Sequence, residues 1–212
     1  MNTGIKKLDA FLASINKGMI IDIFGARGTG KTQLSMQILV NLLRNKYGQI
    51  IYHDTTGKFR PEKLANIMEK TGMDVSSLDR IKINRIINTA EQIHCIQNIN
   101  LNDVLLLVID NVTDLFSFEY RKKFNEKNIS FMKYMHNLSL TATQYNTPII
   151  VTNNVSQINK TEHEHLKNII DIFTHVKIHL HKKHQTYYCL LTTPWTSQSF
   201  IYEITKNGIS DN

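Results

Sequence analysis

The stretch "FGARGTGKTQL" places Gly25, Gly30, Lys31 and Thr32 at the spacing G-x-x-x-x-G-K-[ST], with a further glycine at Gly28. Glycines reach backbone conformations closed to other residues, so successive N–H groups can converge on phosphate oxygens. Lysine at position 31 then reaches the β- and γ-phosphates, and the Thr32 hydroxyl is a ligand for Mg²⁺. The expected binding set is Gly25, Ala26, Arg27, Gly28, Thr29 and Gly30 in the loop, with Lys31, Thr32 and Gln33 opening the next helix. The ligand expected there is ATP with Mg²⁺.

Two further stretches bear chemistry. "VLLLVIDN" ends an apolar run on Asp110, where an acid can hold the metal through water. "HDTTGKFRPEKL", His53 to Leu64, ends another apolar run on Asp54 and turns through Thr55, Thr56 and Gly57. Strand ends in α/β enzymes commonly present an acid or a base. Here the tip of the turn carries two hydroxyls. Six of the nine histidines fall between His163 and His184. His179 and His181 alternate with Val176, Ile178 and Leu180, which reads as one polar and one core face of a strand rather than a zinc site.

Periodicity supplies the elements that must position these groups. Met19 to Phe24 reads as a strand, and Lys31 to Tyr47 as a helix with Leu34, Ile38 and Leu42 on one face. Strands follow at Ile50 to Asp54 and Ile81 to Asn84, with a helix from Pro61 to Thr71 between them. A helix spans Thr89 to Asn98, and Val104 to Asp110 is apolar throughout, as in a strand buried on both faces. Phe131 to Tyr145 reads as helix and Pro148 to Asn153 as strand. This alternation predicts an α/β fold: a mostly parallel central sheet flanked by helices. Val176 to His181, Tyr187 to Thr192 and Ser199 to Ile204 are strands with short connections, which finish the sheet antiparallel.

Composition bounds the rest. The chain has 212 residues, enough for one domain over 1–212, with 42% hydrophobic and 20% charged residues. Lys and Arg number 25 against 18 Asp and Glu, a net charge of +7 that permits a polyanionic partner. Cys95 and Cys189 match no metal or redox spacing, which points to a reducing compartment. The start, "MNTGIKKLDAFL", has no apolar core of a signal peptide, and no run is long enough to span a bilayer. An intracellular protein without membrane insertion is expected.

Three segments in order, "TGIKKLD" before the phosphate loop, "DTTGKFRPEKL" after it and "IIVTNNVSQ" late in the chain, resemble the RecA-like strand-exchange recombinases. The likeness runs from Thr3 to Asp211, and "ITKNGISD" resembles that family's terminal strand. It implies a RecA-like P-loop NTPase core that binds ATP, Mg²⁺ and single-stranded DNA. The departures are specific. Thr56 stands where the family has the Glu that orients the attacking water, so this position is expected to be inactive as a base. Lys63 stands where an Arg lies against adenine. Thr192-Thr193-Pro194 replaces Asp-Ser-Pro, which caps a neighbouring subunit's nucleotide. The sensor segment reads Thr152-Asn153-Asn154, with Asn153 and Asn154 at the relay to the DNA loop. Only Met1 and Asn2 precede the shared region, so an N-terminal helical domain is not expected.

The resemblance also implies two DNA loops. The first falls on "FSFEYRKKFNEKNISFMK", where Arg121, Lys122, Lys123 and Lys127 could track phosphates and Tyr120 and Phe124 could stack on bases. The alternative is a solvated helix start whose aromatics belong to the core. The second, Val155 to Asn168, is short and partly acidic. The function implied is an accessory or mediator of recombinational repair, like short RadB-type paralogues. It would work with the main recombinase or another paralogue and hydrolyse ATP weakly or not at all. Two alternatives stay open. One is a DNA-dependent ATPase using Asp54, Glu62 or Asp114 in place of the missing Glu. The other is an interaction subunit with a structural nucleotide, docking through Phe116 to Phe131. Archaeal cytoplasm, at the nucleoid, is preferred, or the nucleus if the source is eukaryotic.

Overall fold

The computed structural model describes residues 3–12, 18–159, 161–205 and 208–211. In chain order the elements are α1 (Lys6–Leu12), β1 (Ile20–Gly25), α2 (Lys31–Asn45), β2 (Gln49–Asp54), α3 (Pro61–Lys70), a 3₁₀ turn (Val75–Arg80), β3 (Ile81–Arg85) and α4 (Thr89–Gln97). They continue with β4 (Val104–Asp110), α5 (Asp114–Glu119), α6 (Phe124–Tyr145), β5 (Ile149–Ile158), β6 (Thr161–Glu164), α7 (Lys167–Phe173), β7 (Val176–Lys183), β8 (Thr186–Thr192), β9 (Ser197–Thr205) and β10 (Gly208–Asp211).

The sheet runs β10-β9-β8-β7-β1-β5-β4-β2-β3, and β6 pairs with β5 outside that path. β7, β1, β5, β4, β2 and β3 are mutually parallel, and β8, β9 and β10 return antiparallel. β4 explains why its sequence is apolar throughout. Leu106 and Val108 join the core beneath α2 and α3, and Leu107 and Ile109 join the core beneath α6. Each such side chain, removed from water on a sheet covered on both sides, contributes about 2 kcal/mol. The carboxyl ends of β1, β4, β5 and β2 therefore lie side by side, the place where open α/β sheets bind ligands.

The antiparallel end is tied to α2 by one side chain. Gln37 Nε2 donates to Thr3 O (2.8 Å) and Ile209 O (2.9 Å), and Gln37 Oε1 accepts from Ile209 N (2.7 Å). The segment before α1 and the last strand are thus anchored beside the helix that carries Lys31.

Two expectations are corrected. Helix α6 begins at Phe124, seven residues before the expected start at Phe131, so Lys127 lies on a helix and only residues 120–123 form the connector. The early turns are poor in apolar residues, with Phe124 and Ile129 exposed, so burial periodicity starts only at Phe131. Segment 155–168 is not a loop: β5 continues to Ile158, pairs with β6, and α7 starts at Lys167. The hairpin is polar on both faces, which leaves no alternation to read. Elsewhere, β7 shows the expected faces: Val176, Ile178 and Leu180 are buried, and Lys177, His179 and His181 are half-exposed.

Candidate functional site

β1 ends at Gly25 and the chain turns through residues 26–30 into α2. A Cβ on Gly25 would meet Leu180 O of β7 at 1.9 Å, so only glycine lets the loop lie against that strand. Lys31 is folded across the loop. Its Nζ donates to Gly25 O (2.7 Å) and Ala26 O (2.9 Å). Burial lowers its pKa to about 8, opposed by the Asp110 and Asp114 carboxylates. Thr29 Oγ1 donates to Ala26 O (2.9 Å), and Tyr202 OH donates to Thr29 O (2.6 Å), so β9 braces the loop from beneath.

At the end of β4, Asp110 collects three hydroxyls. Thr32 Oγ1 (2.6 Å) and Tyr52 OH (2.7 Å) donate to Oδ2, and Thr152 Oγ1 donates to Oδ1. Burial, with Asp110 beside it, raises the Tyr52 pKa well above its usual value, so the phenol remains a donor. A hydroxyl and a carboxylate at hydrogen-bond distance are hard oxygen donors, and this pair fits Mg²⁺. A cavity of about 330 Å³ opens above them. It is lined by Arg27, Gly28, Gly30, Lys31, Thr32, Gln33, Thr56, Lys58, Lys63, Asp110, Asn111, Asp114, Asn154 and Ile204. The volume is in the range of small-ligand pockets, and four cationic side chains suit a polyphosphate.

Most of the residues expected from the sequence meet at this cavity. Gly25, Ala26 and Thr29 instead shape the loop from behind, and Gln33 also donates through Nε2 to Thr205 O (2.7 Å). Asn154 faces the cavity. Asn153 does not line it; its Oδ1 accepts from Thr113 Oγ1 (2.6 Å), and its Nδ2 donates to Glu164 Oε1 (3.2 Å) and His165 O (2.9 Å).

The corner after β2 is organised by Asp54. Its Oδ1 accepts from the amides of Thr56 (3.0 Å), Gly57 (2.8 Å) and Lys58 (3.3 Å) and from Thr56 Oγ1 (3.0 Å). Its Oδ2 accepts from Phe59 N (3.2 Å). Asp54 is therefore occupied in holding the turn, and Glu62 is exposed on α3, away from the cavity lining.

Of the three carboxylates the sequence offered in place of the missing Glu, Asp114 is the one that lines the cavity. Its Oδ1 and Oδ2 accept from Asn154 Nδ2 at 2.8 and 3.1 Å. The two residues are 40 apart in sequence, and only the β4–β5 adjacency brings them together. Each position carried a signal of its own, Asp114 by following the strand that ends in Asp110 and Asn154 by its place in the "TNN" segment, but nothing in the sequence paired them.

The first basic segment flanks a second cavity of about 780 Å³, lined among others by Phe24, Phe124, Lys127, His163, His165, Lys167 and His179. Arg121 lies over the Phe118 ring (5.9 Å) and Lys127 over Phe124 (5.3 Å), while Lys123 pairs with Glu126 (3.1 Å). Lys122 is exposed. Tyr120 stacks on Phe116 and packs against the core, so Phe118 and Phe124, 70% and 67% exposed, are the rings free for contact. The acids of the second segment face inward. Glu164 lies 2.5 Å from Lys177, and Glu162 Oε2 lies 2.7 Å from His179 Nε2. Lys177 also lies 3.3 Å from buried Asp22, whose pKa is raised by burial and by Glu164. Among the described residues, no three His, Cys, Asp or Glu side chains gather as a metal cluster.

A parallel sheet with a phosphate loop after β1, an acid after β4 and an antiparallel end packed on α2 defines a RecA-like P-loop core. The Rad51 family profile matches residues 1–212, and the chain belongs to that family. It is 36% identical over 160 residues to the DNA repair and recombination protein RadB of Thermococcus sibiricus, covering 73% of this chain and 68% of that protein. It is 32% identical over 173 residues to the DNA repair and recombination protein RadA of Ignicoccus hospitalis, covering 73% and 53%. It is 30% identical over 169 residues to the meiotic recombination protein DLH1 of Candida albicans, covering 73% and 52%. The matched part is thus about half the length of the last two. These relatives place the chain among recombination and repair proteins. No helix among the described residues is long and apolar enough to cross a membrane.

Proposed function

We propose that this chain is an ATP- and DNA-binding accessory of homologous recombination, in which nucleotide occupancy rather than rapid hydrolysis sets the state of the DNA face. The observation that carries this reading is the contrast within one cavity. Lys31, Thr32 and Asp110 are assembled to hold nucleotide and Mg²⁺, while Thr56 occupies the family's Glu position with no acid to offer. When bound, Mg²⁺ would neutralise phosphate charge at Thr32 and Asp110. Asn154 at the cavity and Asn153 beneath the β5–β6 hairpin are adjacent on β5, so a change at the cavity has a short route to the DNA face.

Single-stranded DNA is the expected polyanion, held by Arg121, Lys122, Lys123 and Lys127 with Phe118 and Phe124 as stacking rings. The main recombinase or another paralogue is the expected protein partner. The test is a titration of fluorescent single-stranded DNA with ATP or ADP present, at several salt concentrations. Wild type should bind with a steep salt slope that differs between the nucleotides. Changing Arg121, Lys122 and Lys123 together to Ala should lower the slope by about two to three units. An unchanged slope would remove this segment from the DNA site.

A further inference from the structure

The missing Glu leaves the cavity in need of a carboxylate near the reacting end, and the described acids differ sharply in their freedom to serve. Asp54 is 3% exposed and accepts four amides and a hydroxyl. Asp110 accepts three hydroxyls and is paired with Thr32 at the metal position. Glu62 does not line the cavity. Asp114 does line it, is half-exposed there, and accepts only from Asn154 Nδ2 among its described hydrogen bonds. One amide group leaves lone pairs on both of its oxygens unused.

We infer that Asp114 is the catalytic carboxylate of residual ATP hydrolysis in this chain, and that Asn154 is its positioning residue. The inference rests on the nucleotide-binding reading. In the step assigned to it, a water oxygen forms a bond to the terminal phosphorus as the bond from that phosphorus to the bridging oxygen breaks. The electron pair leaves with ADP, and the water proton passes to Asp114. An aspartate carboxylate is a weak base for water, which keeps turnover slow. Asn154 holds the carboxylate toward the cavity through the 2.8 and 3.1 Å contacts and leaves the opposite lone pairs for water.

The test compares wild type, Asp114→Asn, Asn154→Ala, Asn154→Gln and Lys31→Ala by phosphate release at saturating Mg-ATP, with and without single-stranded DNA. A second readout is affinity for ADP alone and for ADP with aluminium fluoride, a mimic of the transferring phosphoryl group. Asp114→Asn should lower kcat at least about tenfold. It should bind ADP within about twofold of wild type and lose the extra affinity that aluminium fluoride confers. Asn154→Ala should lower kcat with KM unchanged, and Asn154→Gln, which keeps the amide, should recover most of it. Placing Thr56→Glu in the Asp114→Asn background should restore turnover, which also shows that the variant folds. The inference is overturned if Asp114→Asn turns over ATP as wild type does. It is equally overturned if wild type binds ADP yet releases no more phosphate than Lys31→Ala. Failure of wild type to bind ADP at all would instead overturn the nucleotide-binding reading beneath it.

Discussion

Replacing Asp54 by Ala removes the acceptor for the amides of Thr56, Gly57, Lys58 and Phe59 at a site only 3% exposed. A hydrogen bond to a charged acceptor contributes about 1.5–3 kcal/mol net. The bonds at 2.8 and 3.0 Å are the strongest, and the two beyond 3.1 Å contribute less. Thr56 to Phe59 lie at a partly exposed turn, so the freed amides recover some water. The net cost is about 3 kcal/mol. For a chain of this size that lowers Tm by about 6–12 °C. Asp54→Asn keeps one carbonyl acceptor but turns the other oxygen into a donor, costing about 1–2 kcal/mol. Urea unfolding followed by far-UV circular dichroism gives both numbers. The corner also carries Thr56, Lys58 and Lys63 to the cavity, so fluorescent ATP-analogue affinity should fall in the same order. An Asp54→Ala protein within about 0.5 kcal/mol of wild type would refute the organising role of this carboxylate.

Three further outcomes follow from the same structure. His53 is fully buried, and burial lowers its pKa to about 4. The unfolded chain, with an ordinary value near 6.5, therefore binds a proton that the folded chain refuses. This contribution is complete above about pH 6.5 and is lost as pH falls toward 4. Between pH 7 and 5 it amounts to about 2 kcal/mol, and His53→Gln should lack that slope in urea unfolding. Thr56→Glu restores a carboxylate to the corner and should raise ATP turnover more than any other single change, measured as phosphate release. Tyr202→Phe leaves Thr29 O, now bonded at 2.6 Å, without its donor. It should cost about 1 kcal/mol in unfolding and weaken ATP-analogue binding several-fold by loosening the loop.

The corner at Asp54 shows how far local pattern reached and where it stopped. Asp54 after an apolar run, Gly57 in the turn and Pro61 opening a helix were all readable as a bend. A Cβ on Gly57 would meet Arg85 Nη2 at 2.1 Å, a constraint imposed by β3 and absent from the local sequence. Likewise Asp54 read as a candidate base, yet its oxygens are spent on the turn amides, because the turn folds four successive N–H groups around that buried carboxylate.

By itself the sequence determined the phosphate loop, the acid at Asp110, the absence of an acid at Thr56 and the order of the main strands and helices, though not the short elements α1, α5, β6 and α7. These depend on neighbours in the chain: glycines that free the backbone, and apolar alternation that declares a buried face. The sequence left open the start of α6 and the hairpin at 155–164, where exposed or polar residues carry no burial period. Only the tertiary structure decided which carboxylates remain free at the cavity. Strand adjacency brings Asp114 to Asn154 across 40 residues, while the same folding commits Asp54 and Asp110 to other donors. Hydrogen-bond satisfaction of a buried group is a property of its surroundings in space, and no local spacing encodes it.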